Sequence, residues 1–281
     1  MQLPPHFLYS KVKVGRFCSY DRPSWRSLKE VANRAKNIKV FFVYCSDLII
    51  FAGSMGNFSF KQFTIEQDMC AMKVGTDGVL LGAWAVGGDR VLDVGTGTGV
   101  IALMMAQRYP EAYVNAIDVD EGAVRQAREN VARAGREEHI EVTRVAVQAL
   151  ARDVDYHGVF DAVVSNPPFF VDALKAPDNR RNMARHADTL TYAELMEAAW
   201  HLLTDEGVLS VIVPFDYLQK MEDEATFRGF FLRRVCAVCT KAGEPARRYL
   251  LAFRKRPCRC QRSEMTIGDE TYRLLTKDFY L

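Results

Sequence analysis

Val91-Leu92-Asp93-Val94-Gly95-Thr96-Gly97-Thr98-Gly99 decides the fold. Its first four residues form a short apolar, β-branched run, the glycines follow, and Val100–Arg108 then repeats apolar residues at helical spacing. The order is strand, tight turn, helix. Glycines let the backbone take positive φ and bring its N–H groups, at a helix N-terminus, within reach of a ligand; a phosphate or a carboxylate suits such an end. A dinucleotide fingerprint needs G-x-G-x-x-G, whereas Gly95, Gly97 and Gly99 are followed by Val100 at the sixth place. NAD is therefore disfavoured, and a purely structural turn is the plain alternative.

Outward from this turn, β–α units recur at the spacing of a doubly wound sheet. Strands are expected at Tyr113–Ile117, Ile140–Ala146, Phe160–Val164 and Gly207–Pro214, with helices at Glu121–Ala134, Thr191–Leu203 and Tyr217–Arg228. Strands joined in this way run parallel, and ligands bind beyond their carboxyl ends. Asp118 ends its strand there and is placed to accept hydrogen bonds from a ribose diol, while Asp120 is the expected N-cap of the next helix. Leu232–Thr240 and Arg247–Arg254 read as an antiparallel hairpin closing the sheet through Lys241–Ala246.

The fourth strand delivers Ser165-Asn166-Pro167-Pro168-Phe169-Phe170 to the same edge. Consecutive prolines cannot continue a paired strand, so the backbone must leave the sheet. A loop terminator is the structural explanation. The chemical one comes from a resemblance: an Asn-Pro-Pro-aromatic run resembles the loop of enzymes that methylate exocyclic amines, and such an amine is a poor nucleophile while conjugated to its ring. With one amine hydrogen on the Asn166 side-chain oxygen and the other on the Pro167 carbonyl, the nitrogen is drawn towards tetrahedral geometry, and no general base is needed before attack. Phe169 would stack on the flat base and supply proximity.

Asp93, the glycine loop, Asp118 and the Asn166-Pro167-Pro168-Phe169 run together resemble a class I methyltransferase using S-adenosylmethionine. That implies a Rossmann-like α/β fold, a mostly parallel seven-stranded sheet with an antiparallel terminal hairpin strand. Cofactor contacts are then implied at Asp93, Gly95, Thr96, Gly97, Gly99 and Asp118. Many such enzymes hold the adenine amine with an acidic residue after the third strand. Ala146 stands here instead, which leaves the Val147 backbone or the Gln148 side chain.

Phe58–Trp84 is more specific. Its KQF and MKVGTDGVLLGAW segments resemble the bacterial tRNA valine adenine-37 N6-methyltransferase family. The resemblance implies that Lys73, Thr76 and Asp77 lie near the methionine end of the cofactor; helix capping by Thr76-Asp77 is the local alternative. It further implies an RNA grip by Arg180, Arg181, Arg185 and His186, and tRNA as the partner in the cytoplasm. Lys241, Arg247 and Arg248 are added candidates from the hairpin loop. Rival activities with similar loops are guanine N2 methylation of ribosomal RNA and glutamine N5 methylation of protein; a binding scaffold without catalysis is a rival of another class.

Bulk properties agree with an ordinary globular chain of 281 residues, 49% hydrophobic, with a formal net charge of +2. The charge is uneven: residues 228–262 carry eleven Lys/Arg against Glu244 alone, whereas 56–227 carry fifteen basic and twenty-seven acidic residues. Such a basic stretch fits a polyanion or simply a strand pair with a solvated arginine face. Seven cysteines without repeating spacing argue against a disulfide framework, and Cys236 and Cys239 read as buried thiols in a strand rather than zinc ligands, so no metal is expected. The run Val40–Ala52 is too short for a membrane span. Residues 1–54 are expected to be a dispensable extension or an upstream reading-frame artefact, with the methyltransferase domain at 56–281, taken as a monomer.

Overall fold

The computed structural model describes residues 57–70, 72–167 and 190–280. The 1–54 segment, Pro168, Phe169, Arg180, Arg181, Arg185 and His186 lie outside them. The described chain opens with an antiparallel hairpin of β1 (Asn57–Ser59) and β2 (Thr64–Glu66) and helix α1 (Thr76–Trp84). There follow β3 (Arg90–Val94), α2 (Val100–Arg108), β4 (Tyr113–Asp118), α3 (Glu121–Arg133), β5 (Ile140–Arg144), the short α4 (Val147–Leu150) and β6 (Phe160–Ser165). The last elements are α5 (Tyr192–Leu202), β7 (Leu203–Pro214), α6 (Leu218–Arg228), β8 (Phe231–Cys239), β9 (Arg248–Arg254), β10 (Gln261–Thr266) and α7 (Glu270–Thr276).

Eight strands form one sheet in the order β10-β8-β9-β7-β6-β3-β4-β5. β9 runs antiparallel to both neighbours, and the other pairs are parallel. The expected seven strands are present, and Gln261–Thr266 adds an eighth, pairing β8 in parallel. That edge strand is polar and mostly exposed, so it joins through its backbone and leaves no apolar alternation to read.

Helices cover both faces, which is why the central strands are continuous apolar runs. In β3, Val91 belongs to the core under α1, α2 and α3, while Leu92 and Val94 belong to the core under α5 and α6. Asp93 therefore points to the α2 side, the period-two alternation putting a carboxylate into an apolar layer. β3 is flanked by β4 on one side and β6 on the other, so the strand order reverses there. Crevices at such reversals are where open α/β sheets bind ligands.

Among the described residues, no helix is long and apolar enough to cross a membrane, and no group of three or more His, Cys, Asp or Glu converges as a metal site. Cys236 and Cys239 are buried in β8.

Candidate active site

The glycine loop leaves β3 with Gly95 at φ 73° and Gly97 at φ 55°, and nothing lies within 4 Å of where a Cβ would stand on either. Only glycine adopts this backbone without strain, and the space above it is free for a ligand. Gly99, at φ 82°, serves packing instead: a Cβ there would meet Ala127 of α3 at 3.3 Å.

The loop's N–H groups have a different fate from the one expected of a phosphate cradle. Gly95 and Thr96 donate to the Ile117 carbonyl at 2.9 and 3.0 Å, and Gly99 donates to the Thr96 carbonyl at 2.9 Å. Gly97 donates to Asp118 Oδ2 at 2.9 Å. Four donors are thus used internally, so the loop offers open glycine faces rather than an anion nest. A pyrophosphate would find few free donors, which agrees with the missing third glycine of the dinucleotide fingerprint.

Asp93 is fully buried. Its Oδ2 accepts from the Thr96 hydroxyl at 2.7 Å and from the Ala102 N–H at 3.1 Å. Its Oδ1 is buried with no partner among the described residues. Burial raises the carboxyl to about 7, opposed by the Thr96 and Ala102 bonds and reinforced by Asp118. Thr96, expected at the cofactor, spends its hydroxyl holding Asp93.

Asp118 sits at the carboxyl end of β4, with one oxygen accepting from Gly97 and the other from the Asp120 N–H at 3.0 Å. Each oxygen keeps a lone pair for a further donor. Asp120 caps α3 by accepting from Ala123 at 2.7 Å, as its position foretold. Val147 opens α4, where a helix leaves its first N–H groups without intrahelical acceptors. Gln148 is engaged elsewhere: its side chain bonds Glu194, whose carboxyl is held below its usual range by the Thr191 N–H and then by Thr191 and Gln148 side chains.

Ser165 and Val94 are register partners in β6 and β3, so Asn166 and Gly95 emerge side by side. The Ser165 hydroxyl donates to the Val94 carbonyl at 2.9 Å and binds the two exits together. The Asn166 Oδ1 is buried and has no partner among the described residues. Such an orphaned acceptor is costly unless a ligand supplies the donor.

The segment before α1 packs against α3 through two buried amides that the sequence reading passed over. Asn130 donates to the Glu66 carbonyl at 2.8 Å and to the Thr98 carbonyl at 2.9 Å, and accepts from the Glu66 N–H at 2.9 Å. Gln126 accepts from the Met69 N–H at 3.0 Å. Lys73 donates to the Gln67 carbonyl, so its ammonium is already placed. Thr76-Asp77 does not cap α1: the N-cap is Gly75, with no side-chain bond. Asp77 instead pairs with Arg248 at 2.8 Å, a contact across 171 residues that no local pattern could announce.

Lys241 and Arg247 are exposed on the turn between β8 and β9, whereas Arg248 is half-buried in its pair with Asp77. Much of the basic stretch is neutralised internally. Arg228 pairs with Glu197, Arg254 with Glu206, and Arg256 with Asp205 and Glu206. The KQF lysine is structural: Lys61 donates to the Lys277 carbonyl at 2.6 Å and its N–H to Phe279 at 2.8 Å, holding the tail.

The family profile described as Methyltransferase small domain matches residues 76–225. The tRNA1(Val) (adenine(37)-N6)-methyltransferase of Phocaeicola vulgatus is 47% identical over 232 residues, covering 80% of this chain and 97% of the relative. The chain belongs to the tRNA1(Val) (adenine(37)-N6)-methyltransferase family. The relative of the same name from Trichodesmium erythraeum is 42% identical over 234 residues with the same coverage. Among solved structures, a predicted O-methyltransferase from Agrobacterium tumefaciens superposes with a TM-score of 0.53 at 19% identity, over 73% of this chain and 98% of that one. That likeness establishes the fold. The methyltransferase fold expected from the glycine loop and the Asn166-Pro167 exit is the one observed.

Proposed function

We propose that this enzyme methylates the N6 amine of adenine 37 in a valine tRNA, with S-adenosylmethionine as donor, in the cytoplasm. The observation that carries the substrate is the 47% identity to a relative of that name across 97% of its length. The site supports the chemistry independently, and on this reading the catalytic domain spans residues 56–281.

The residues present fit the cofactor. Two glycines leave open space over the loop, Asp118 retains acceptor capacity for a diol, and Asp93 Oδ1 is a buried acceptor without a partner among the described residues. Asp93, Gly95, Gly97, Asp118 and the Val147 backbone would hold it, with Thr96 and Gly99 shaping the loop and Lys73 fixing the segment beside it. When bound, S-adenosylmethionine supplies an electrophilic methyl group.

The chain's part is to bring the amine to that methyl. Asn166 Oδ1 accepts one amine hydrogen and the Pro167 carbonyl the other, which localises the nitrogen lone pair and stabilises positive charge developing there. Neither Pro167 nor Pro168 has an N–H to offer a neighbouring strand, and Phe169 would hold the base by stacking. The Ser165 bond to Val94 sets the separation between amine and cofactor. Lys241, Arg247, Arg180, Arg181, Arg185 and His186 would grip phosphates, Arg248 acting from its pair with Asp77; such binding weakens as salt rises.

The test is to incubate purified protein with labelled S-adenosylmethionine and total tRNA and identify the nucleoside. N6-methyladenosine in valine tRNA is expected. N2-methylguanosine, or label in protein alone, would overturn the assignment.

A further inference from the structure

On the reading that the substrate is tRNA, we propose that Phe215 is a stacking platform for the unpaired nucleotide next to the target adenine. Phe215 directly follows Pro214 at the carboxyl end of β7, the strand beside the one that delivers Asn166. Ser165 lies opposite Val211, so Phe215 stands three residues further out than Asn166. That is about 10 Å along the strand and about 4.8 Å to the side. That offset puts the ring beyond the Asn166 exit, where it suits the neighbour of a base held at Asn166 once the target is turned out of the stack.

The ring is 58% exposed, yet its backbone is fixed. The Phe215 N–H donates to the Arg247 carbonyl at 3.1 Å, and the ring leans on Tyr249 with centroids 6.2 Å apart. A single exposed aromatic needs no explanation by itself; the setting supplies one. Exposed Lys241 and Arg247 occupy the adjoining turn, with Glu244 and Asp216 as the nearby acids in sequence. A rigid aromatic face beside cations that can meet phosphate is how single-stranded nucleic acid is held, and it accepts any base. The platform therefore adds affinity without adding base selectivity.

The test compares KM for a valine tRNA transcript. Phe215→Ala should raise KM about 10-fold, with kcat and S-adenosylmethionine affinity unchanged, while Phe215→Trp stays near wild type. Two further transcripts, each lacking the base on one side of adenine 37, identify the stacked nucleotide. With one of them wild type should lose the same factor, and Phe215→Ala should lose nothing more. A Phe215→Ala KM within about twofold of wild type, or losses that add with both abasic transcripts, would overturn the platform. So would a change in sedimentation mass without a change in KM, which assigns the face to a second copy of the chain. If wild type itself leaves tRNA unmethylated while methylating another substrate, the tRNA assignment fails instead.

Discussion

The Ser165 hydroxyl donates to the Val94 carbonyl at 2.9 Å, at the point where β6 and β3 leave the sheet together. Val94 opens into the glycine loop and Ser165 into Asn166, so one buried bond sets the spacing between the proposed cofactor seat and the proposed amine acceptor. Ser165→Ala removes the donor and leaves a buried carbonyl poorly satisfied. It should cost about 1 kcal/mol of stability and lower kcat about 10-fold, with S-adenosylmethionine affinity nearly unchanged. Urea unfolding and single-turnover kinetics measure the two effects. Unaltered kcat would show that the bond is structural only.

Asn130 acts at longer range. Its amide joins the Glu66 backbone to the Thr98 carbonyl from a fully buried helix position. Asn130→Leu strands three backbone groups at once. The variant should lose about 3 kcal/mol, and its cofactor affinity should drop about 10-fold, because Thr98 belongs to the loop. Isothermal titration on the folded variant separates this from simple unfolding; unchanged affinity would contradict the coupling.

Asp93 predicts a pH signature. Unfolded chain releases its proton near 3.8 and folded chain near 7, so the folded state binds more protons in between. This contribution to stability is full below 3.8, declines as pH rises to about 7 and is then lost. Asp93→Asn keeps an oxygen for both Thr96 and Ala102, since both bonds reach Oδ2. Relative to wild type, the unliganded variant should gain stability across that window, by at most about 4 kcal/mol. It should bind cofactor more weakly, because an amide N–H replaces Oδ1, which has no partner among the described residues. Parallel stability profiles in urea titrations at pH 4, 6 and 8 would contradict a raised Asp93.

What the sequence disclosed follows from burial. β3, β4, β6 and β7 are covered on both faces, so their apolar runs, and the residues at their carboxyl ends, could be read directly. Asp120 was legible as a cap because capping is local. Asp77 was not, because its partner Arg248 arrives from the far hairpin. β10 escaped because edge pairing uses backbone and places no demand on side chains. Asn130 left a usable trace: it falls seven residues after Ala123, on the apolar stripe with Ala127 and Val131. A lone amide on such a stripe marks a buried polar tie. The glycine loop misled in one respect, since its N–H groups bind Ile117, Thr96 and Asp118 rather than waiting for a phosphate.

The most direct test is single-turnover methylation of valine tRNA by Asn166→Ala, with S-adenosylmethionine affinity measured alongside. Asn166 Oδ1 is a buried acceptor unpaired among the described residues, so its loss should leave cofactor binding intact. The account predicts a rate of N6-methyladenosine formation lower by about 10²–10³-fold at unchanged cofactor affinity. A rate equal to wild type would contradict the central claim that this side chain carries the target amine.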